Sequence, residues 1–197
     1  MRTLDDSAWR QLFLDARTHN VWTDQPVEDA VLHCLYELAR MGPTATNCQP
    51  ARLVFVKTPE SKERLRPTLA PGNVDKTMAA PATAIVAYDA EFHTKMTKLV
   101  PHAADAGKRI GSMEDESRRR MALLSATLQG GYLILAARGL GLDCGPMGGF
   151  DVDRVNAEFF PDGKWMSIFL LNLGYGDPAK LHPRAPRLDF DEACRIV

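Results

Sequence analysis

Gly42-Pro43-Thr44-Ala45-Thr46-Asn47-Cys48-Gln49-Pro50-Ala51-Arg52-Leu53-Val54-Phe55-Val56 decides the architecture. Gly42-Pro43 stops a helix, the next seven residues are polar or small, and Leu53–Val56 is a continuous apolar run closed by Thr58-Pro59. Helix, polar loop and buried strand follow one another within a few residues. Upstream, a helix is predicted from Pro26, in its first turn, to about Met41, with Val31, Cys34, Leu35 and Leu38 inward. Residues 16–22 lose periodicity and read as a loop or short strand. Residues 5–16 read as a first helix with Trp9, Leu12, Phe13 and Ala16 on one side.

Downstream, Ser61–Leu69 is a short helix and Ala84–Tyr88 a second strand. Residues 91–116 are polar and mixed, as in a helical excursion over the core. Arg118–Arg138 is a long helix, with Met121, Leu124, Leu128 and Leu135 inward. Gly130-Gly131 inside it cost about 1 kcal/mol each against alanine, so either a close neighbour requires them or the helix tolerates a defect. Gly139 and Gly141 end this helix, and Val152–Phe160 forms another. Met166–Leu173 is the most hydrophobic strand, closed by Gly174-Tyr175-Gly176-Asp177-Pro178. The tail from Pro183 is basic and Pro-rich, then amphipathic at Phe190, Ala193 and Ile196. With no repeat, linker or low-complexity tract, residues 1–197 read as a single layered α+β or α/β domain.

The 24 basic and 25 acidic residues leave a net charge of −1, which supplies no field for nucleic acid or an anionic membrane. No apolar run approaches the roughly 20 residues that span a bilayer. Acids at Asp5 and Asp6 occupy the place where a signal peptide is apolar, so a cytoplasmic protein is expected. Cys34, Cys48, Cys144 and Cys194 are far apart and read as reduced thiols.

Phosphate-loop, zinc-protease and nucleophile-elbow motifs are absent from the sequence. Gly139-Leu140-Gly141 follows a helix instead of a strand, which reads as a helix stop and not a dinucleotide fingerprint. Glu91, His93, His102 and Asp105 are spaced too irregularly to favour a metal over a solvated surface. Five polar clusters remain. They are Arg17-Thr18-His19-Asn20, Pro43–Pro50, Gly72-Asn73-Val74-Asp75-Lys76, Gly145-Pro146-Met147-Gly148-Gly149-Phe150-Asp151, and Arg184-Ala185-Pro186-Arg187. Together they offer cations for a phosphate, amides and hydroxyls for a polar ring, and glycine backbone for close approach.

In this order the clusters resemble the nitroreductase family of flavoproteins over nearly the whole chain. Ala-Arg-Thr-His-Asn, Gly-Pro-Thr, Asn-Cys, Pro-Ala-Arg, Lys-Glu-Arg-Leu-Arg-Pro, Gly-Pro-Met and Gly-Tyr-Gly-Asp are similar to its malonic semialdehyde reductase branch, which serves pyrimidine degradation. The resemblance implies an α+β three-layer sandwich, a central mostly antiparallel sheet flanked by helices, and an intertwined homodimer with FMN at the interface. It places Arg17 and His19, with Thr18 between them, at the flavin phosphate or ring edge. Pro43, Thr44, Ala45 and Asn47 would approach from the partner subunit. Asn73 and Lys76 would bond the pyrimidine side of the ring. Pro146, Met147, Gly148 and Gly149 would lie along it near N5, and Arg187 with Arg184 would hold the phosphate.

A guanidinium suits a terminal phosphate, and a cation at the pyrimidine end stabilises the reduced anionic flavin. The implied activity is ping-pong hydride transfer from NADH or NADPH through flavin N5 to a small polar substrate, malonic semialdehyde giving 3-hydroxypropionate, with no residue required as covalent nucleophile. Arg52 and Arg109 are the candidate cations for the substrate carboxylate. Ala45 lacks a hydroxyl that the family pattern carries, Gly148 stands where an acid is common, and Val21 where a cation is common. These departures bear on nitro-compound reduction more than on FMN binding. The alternatives are a broad nitro or quinone reductase and a flavin-storage protein without turnover.

Overall fold

The computed structural model describes residues 3–197. Strands β1 (Ala51–Val56), β2 (Ala82–Asp89), β3 (Asp143–Met147) and β4 (Trp165–Gly174) form one sheet in the order β1-β2-β4-β3, antiparallel at every pairing. The helices are α1 (Asp6–Trp9, continued in wider π turns over Arg10–Leu14), α2 (Asp29–Ala39), α3 (Pro59–Leu65), α4 (Val74–Ala79), α5 (Met96–Leu99), α6 (Ala106–Gly111), α7 (Asp115–Gly139), α8 (Val152–Phe159) and α9 (Phe190–Ala193).

Three layers result. Leu53 and Phe55 of β1, Ala82, Ala84 and Val86 of β2, and Leu171 and Leu173 of β4 meet α2 and α7 on one face. Val54, Val56, Ile85, Ala87 and Leu170 meet α3 and α8 on the other. β2 and β4 are covered on both sides, which is why they read as unbroken apolar runs instead of alternating ones. The register slips between Val86 and Ala87, so that Phe169 and Ser167 pair with consecutive residues and Ile168 is the extra residue of a bulge. Residues 91–111 fold as the expected helical excursion, with their own core of Phe92, Met96, Val100, Ala106 and Ile110 closed by Cys48 and Ala122.

Several expectations are corrected. α2 begins at Asp29 after the cap residue Glu28, leaving Pro26 outside it. It buries Leu32, Leu35 and Ala39, while Cys34 and Leu38 face outward. The inner face of α7 is made of small or polar residues, Ala122, Ser125, Ala126, Gln129 and Ala137 with Leu133, because a helix lying against a sheet packs closest through short side chains. Leu124 and Leu128, expected inside, are 57% and 52% exposed. Trp9 and Phe13 are exposed as well. β1 is an edge strand with only Val56 fully buried. β3 is a strand that the sequence analysis does not name, since Gly145 and Pro146 are poor strand residues, yet Pro is tolerated on the edge that β3 forms.

The paired glycines separate into two cases. A Cβ on Gly130 would lie 2.6 Å from the Phe169 ring, whereas one on Gly131 meets nothing within 4 Å. Gly130→Ala should therefore destabilise by about 1–3 kcal/mol through overpacking. Gly131→Ala should stabilise by up to about 1 kcal/mol through helix propensity. Urea midpoints at one protein concentration check both, and equal effects of the two substitutions would contradict the packing.

Candidate functional site

The segment after α1 is stitched along the β3 edge. His19 N donates to Cys144 O at 3.1 Å, Thr23 N to Tyr175 O at 2.8 Å, and Asp177 N to Val21 O at 3.0 Å. The C-terminal segment crosses it. Arg184 Nη2 donates to Leu14 O (2.7 Å) and Ala16 O (3.1 Å), and Arg17 Nη2 donates to His182 O. Between them lies a cavity of about 250 Å³ whose walls include Arg17, Thr18, Asn20, Arg138, Arg184 and Arg187. Among the described residues none of these four arginines forms an ion pair with a carboxylate. Among the described residues Arg187 donates only to the neighbouring carbonyls of Ala185 and Pro186. Arg138 Nη1 donates to Leu12 O at 2.8 Å, and its Nε is buried without a partner. Four uncompensated guanidiniums around one hollow are a place for a multiply charged anion.

His19 takes no part in this wall. Its imidazole is 5% exposed, with Nε2 3.4 Å from Asp143 Oδ1 and the ring against the backbone of Gly176. Asp143 in turn accepts from Gly176 N at 2.9 Å. Arg138 is absent from the sequence-derived set because a basic residue in the last turn of a helix is ordinarily explained by the helix dipole.

At the far end of β3 the chain passes through Gly148-Gly149. Gly149 O accepts from Asn73 Nδ2 (2.7 Å) and Ala70 N (3.0 Å). A Cβ at 149 would sit 2.4 Å from Asn73 Nδ2, so glycine is required for this contact. Asn73 thus gives one N–H to the loop and keeps its second N–H and Oδ1 for another partner, and Lys76 stands one turn further along α4. The Lys76 carbonyl accepts from Trp22 Nε1 (3.0 Å) and Asn172 Nδ2 (3.2 Å). Trp22 and Asn172 therefore join the arginine segment, α4 and β4. Pro146 and Gly148 are exposed on this edge, and Met147 is buried.

Pro43, Thr44, Ala45 and Asn47 are elsewhere. Their loop leads into β1 at the opposite edge of the sheet. Thr46, Asn47 and Gln49 have φ of 51°, 50° and 38°, a left-handed backbone rare outside glycine. It is pinned by Gln49 N to Thr44 Oγ1 (3.2 Å), Gln49 Nε2 to Asn47 Oδ1 (2.7 Å), Asn47 Nδ2 to Leu99 O (3.0 Å) and Tyr132 OH to Pro43 O (3.0 Å). Arg52, a candidate for a substrate carboxylate, is already committed: it pairs with the buried Asp89 at 2.6 Å and donates to Gln49 O and Ala51 O. Arg109 is exposed on α6. Among the described residues no three His, Cys, Asp or Glu side chains gather as a metal set.

Beneath α4 lies Lys62, 5% exposed, its Nζ donating to Thr77 O (2.6 Å), Ala80 O (2.5 Å) and Thr83 Oγ1 (3.4 Å). Burial pulls its pKa from 10.5 to about 8, while these acceptors favour the charged form. Between about pH 8 and 10.5 the unfolded chain binds more protons here than the folded one, so folding stability should rise with pH across that window. Denaturant midpoints for wild type and Lys62→Met over this range test it. Wild type should gain on the variant by at most on the order of 3 kcal/mol, and a pH-independent difference would rule it out.

The profile of the Nitroreductase family matches residues 15–175. A Ralstonia nicotianae protein named "putative NADH dehydrogenase/NAD(P)H nitroreductase" is 56% identical, with each chain covered in full. A Rhodopseudomonas palustris protein of the same name is 53% identical, covering 99% of this chain and 98% of its own. Among solved structures, a nitroreductase family protein of Streptococcus pneumoniae superposes with a TM-score of 0.83 at 21% identity, covering 97% of this chain and 98% of that one. An Exiguobacterium sibiricum structure described as a "putative nitroreductase in complex with FMN" superposes with a TM-score of 0.86 at 20% identity, covering 100% and 99%. At these identities the structural likeness speaks for the fold.

Proposed function

Since the chain belongs to the nitroreductase family, we propose that it is an FMN-dependent NAD(P)H oxidoreductase acting as a homodimer, with residues 1–197 as one FMN-binding unit. The observation that carries this reading is the cavity walled by Arg17, Arg138, Arg184 and Arg187, none of which has an acid partner among the described residues. Its charge suits the phosphate of FMN, and the buried, unpartnered Arg138 Nε is an available donor beside it. Bound FMN would supply the hydride chemistry at N5 that links NADH or NADPH to the second substrate. Arg187, free of distant partners, and Arg184 and Arg17 would hold the phosphate. Lys76 would place a positive charge toward the pyrimidine end, favouring the reduced anion. Asn73 keeps Gly149 drawn in against α4, and the missing side chains at 148 and 149 leave room for nicotinamide and substrate in turn.

A second copy of the chain completes the site in this reading, because Pro43, Thr44, Ala45 and Asn47 sit on the edge opposite the arginines. Apolar residues left outside support such pairing. Leu124 and Leu128 of α7, Tyr36 and Leu38 of α2, and Met41 are all 47–76% exposed. The tail residues Leu188, Phe190 and Ile196 find no cover in their own subunit, being 57–89% exposed, which suits an intertwined arrangement.

For the substrate, we propose malonic semialdehyde, reduced to 3-hydroxypropionate, on the strength of the sequence motifs, and with glycine instead of an acid at position 148. Arg52 is engaged by Asp89, which removes one candidate for the substrate carboxylate. A broad nitro or quinone reductase is the second reading, favoured by the names of the relatives above 50% identity.

The protein incubated with FMN and freed of excess should keep the flavin absorbance and bleach promptly on anaerobic addition of NADPH or NADH. Reoxidation by malonic semialdehyde faster than by nitroaromatics or quinones supports the first reading, and the reverse order the second. Retained flavin that does not bleach indicates storage, and a colourless protein refutes the assignment. Arg187→Met should weaken FMN at least tenfold, consistent with loss of a charge-assisted phosphate contact, and leave riboflavin affinity unchanged. Equal losses for both flavins would take Arg187 off the phosphate.

A further inference from the structure

We propose that Lys62, which lies outside the cavity on another helix, is a positioning residue for the flavin. It fixes α4 so that Lys76 and the Asn73–Gly149 contact are presented at the right place, an inference that rests on the FMN reading above.

α4 has six residues, too few to hold itself together in water. Its C-terminal carbonyls point into the protein, where Thr77 and Ala80 are 0% and 3% exposed. A helix end buried in this way needs partners. Lys62 supplies them, placing one ammonium at the negative end of the helix and donating to both carbonyls. Its third acceptor, Thr83 Oγ1, donates onward to Asn172 Oδ1 at 2.8 Å. The Asn172 amide donates to Thr77 Oγ1 (3.3 Å) and to the carbonyl of Lys76 itself (3.2 Å). A chain of hydrogen bonds thus runs from α3, through the two central strands, to the backbone of the residue proposed to face the pyrimidine end.

Two features separate this from ordinary packing. Lys62 forms no ion pair among the described residues, so its charge serves no salt bridge. A methionine would fill the same space, whereas only the ammonium can satisfy the three acceptors. Because Asn73 immediately precedes α4 and holds Gly149 O, a shift of α4 also moves the Gly148-Gly149 loop.

The test is a double-mutant cycle on FMN-loaded protein using wild type, Lys62→Met, Lys76→Met and the double variant. FMN affinity is read by fluorescence and the flavin midpoint potential by dye equilibration. Lys62→Met should weaken FMN about tenfold and shift the potential negative by about 30 mV, the equivalent of a tenfold change in a two-electron equilibrium. The double variant should have the potential of Lys76→Met alone, because Lys62 acts through Lys76. An unshifted Lys62→Met, or a shift that adds in full to that of Lys76→Met, overturns the proposal. If Lys62→Met does not fold, Thr83→Val breaks the same chain at the next link. It should shift the potential in the same direction by a smaller amount, and no shift overturns the proposal. Wild type that binds no FMN refutes the flavin reading and this inference with it. FMN bound normally by wild type and by an unshifted variant refutes this inference alone.

Discussion

β2 and β4 lie side by side at the centre of the sheet, buried on both faces, and their antiparallel ladder from Ala82–Leu173 to Asp89–Trp165 is the constraint on which the molecule is built. Their backbone polar groups are largely shielded from water and are paired in the ladder, interrupted only at the bulge between Val86 and Ala87. Polar, glycine-rich chain is thereby pushed to the edges. β3 receives the arginine segment at one end and Gly148-Gly149 at the other, and β1 receives the strained loop at 44–49. These two limbs are on opposite edges of one sheet. In the proposed function this separation is what a second copy answers, by bringing the loop on the β1 edge to the flavin held at the β3 edge.

The same pair of strands carries a polar seam. Thr83 and Asn172 are cross-strand partners, both 0% exposed and bonded side chain to side chain. With Lys62, Thr77 and the Lys76 carbonyl they form a network in which the ammonium, the hydroxyls and the amide have partners. A satisfied buried network is directional where hydrophobic contact is not. A one-residue slip of β4 would turn Asn172 to the α7 face, where Leu133, Ala137 and Leu142 offer it no partner. The seam therefore selects the register as well as supporting α4.

Much of this was legible in the sequence because helix stops and apolar runs are local. Gly42-Pro43, the run at Leu53–Val56, the run at Ala84–Tyr88 and the Gly139 stop all fall where the structure has them. Residues whose role depends on a distant partner were not legible. β3 carries Gly145 and Pro146 and is a strand only because β4 pairs with it. Arg138 reads as a dipole complement until Arg17 and Arg184 are seen beside it. The packing of the His19 ring against Gly176, outside the arginine cavity, depends in the same way on a distant partner. Lys62 sits in a polar helical stretch, Glu60-Ser61-Lys62-Glu63-Arg64, and its burial depends on α4 folding over it.

The inversion of α7 has the same kind of cause and a further meaning. Helical periodicity identifies an apolar stripe but does not say what covers it. In α7 the leucines at 124 and 128 mark one stripe, and Ala122, Ala126, Ala137 and Gly130 mark another, less hydrophobic one that packs closer. The sheet takes the second, since only short side chains admit Phe169 of β4 under the helix axis. The first is left facing outward beside Tyr132, which holds the 43–47 loop through the Pro43 carbonyl. The apolar outer stripe and the left-handed loop are thus fixed by one helix. A second copy that covers the leucines would meet the loop in the same encounter, and the roughly 1–3 kcal/mol carried by each strained residue is accounted for if that conformation is what the loop presents there.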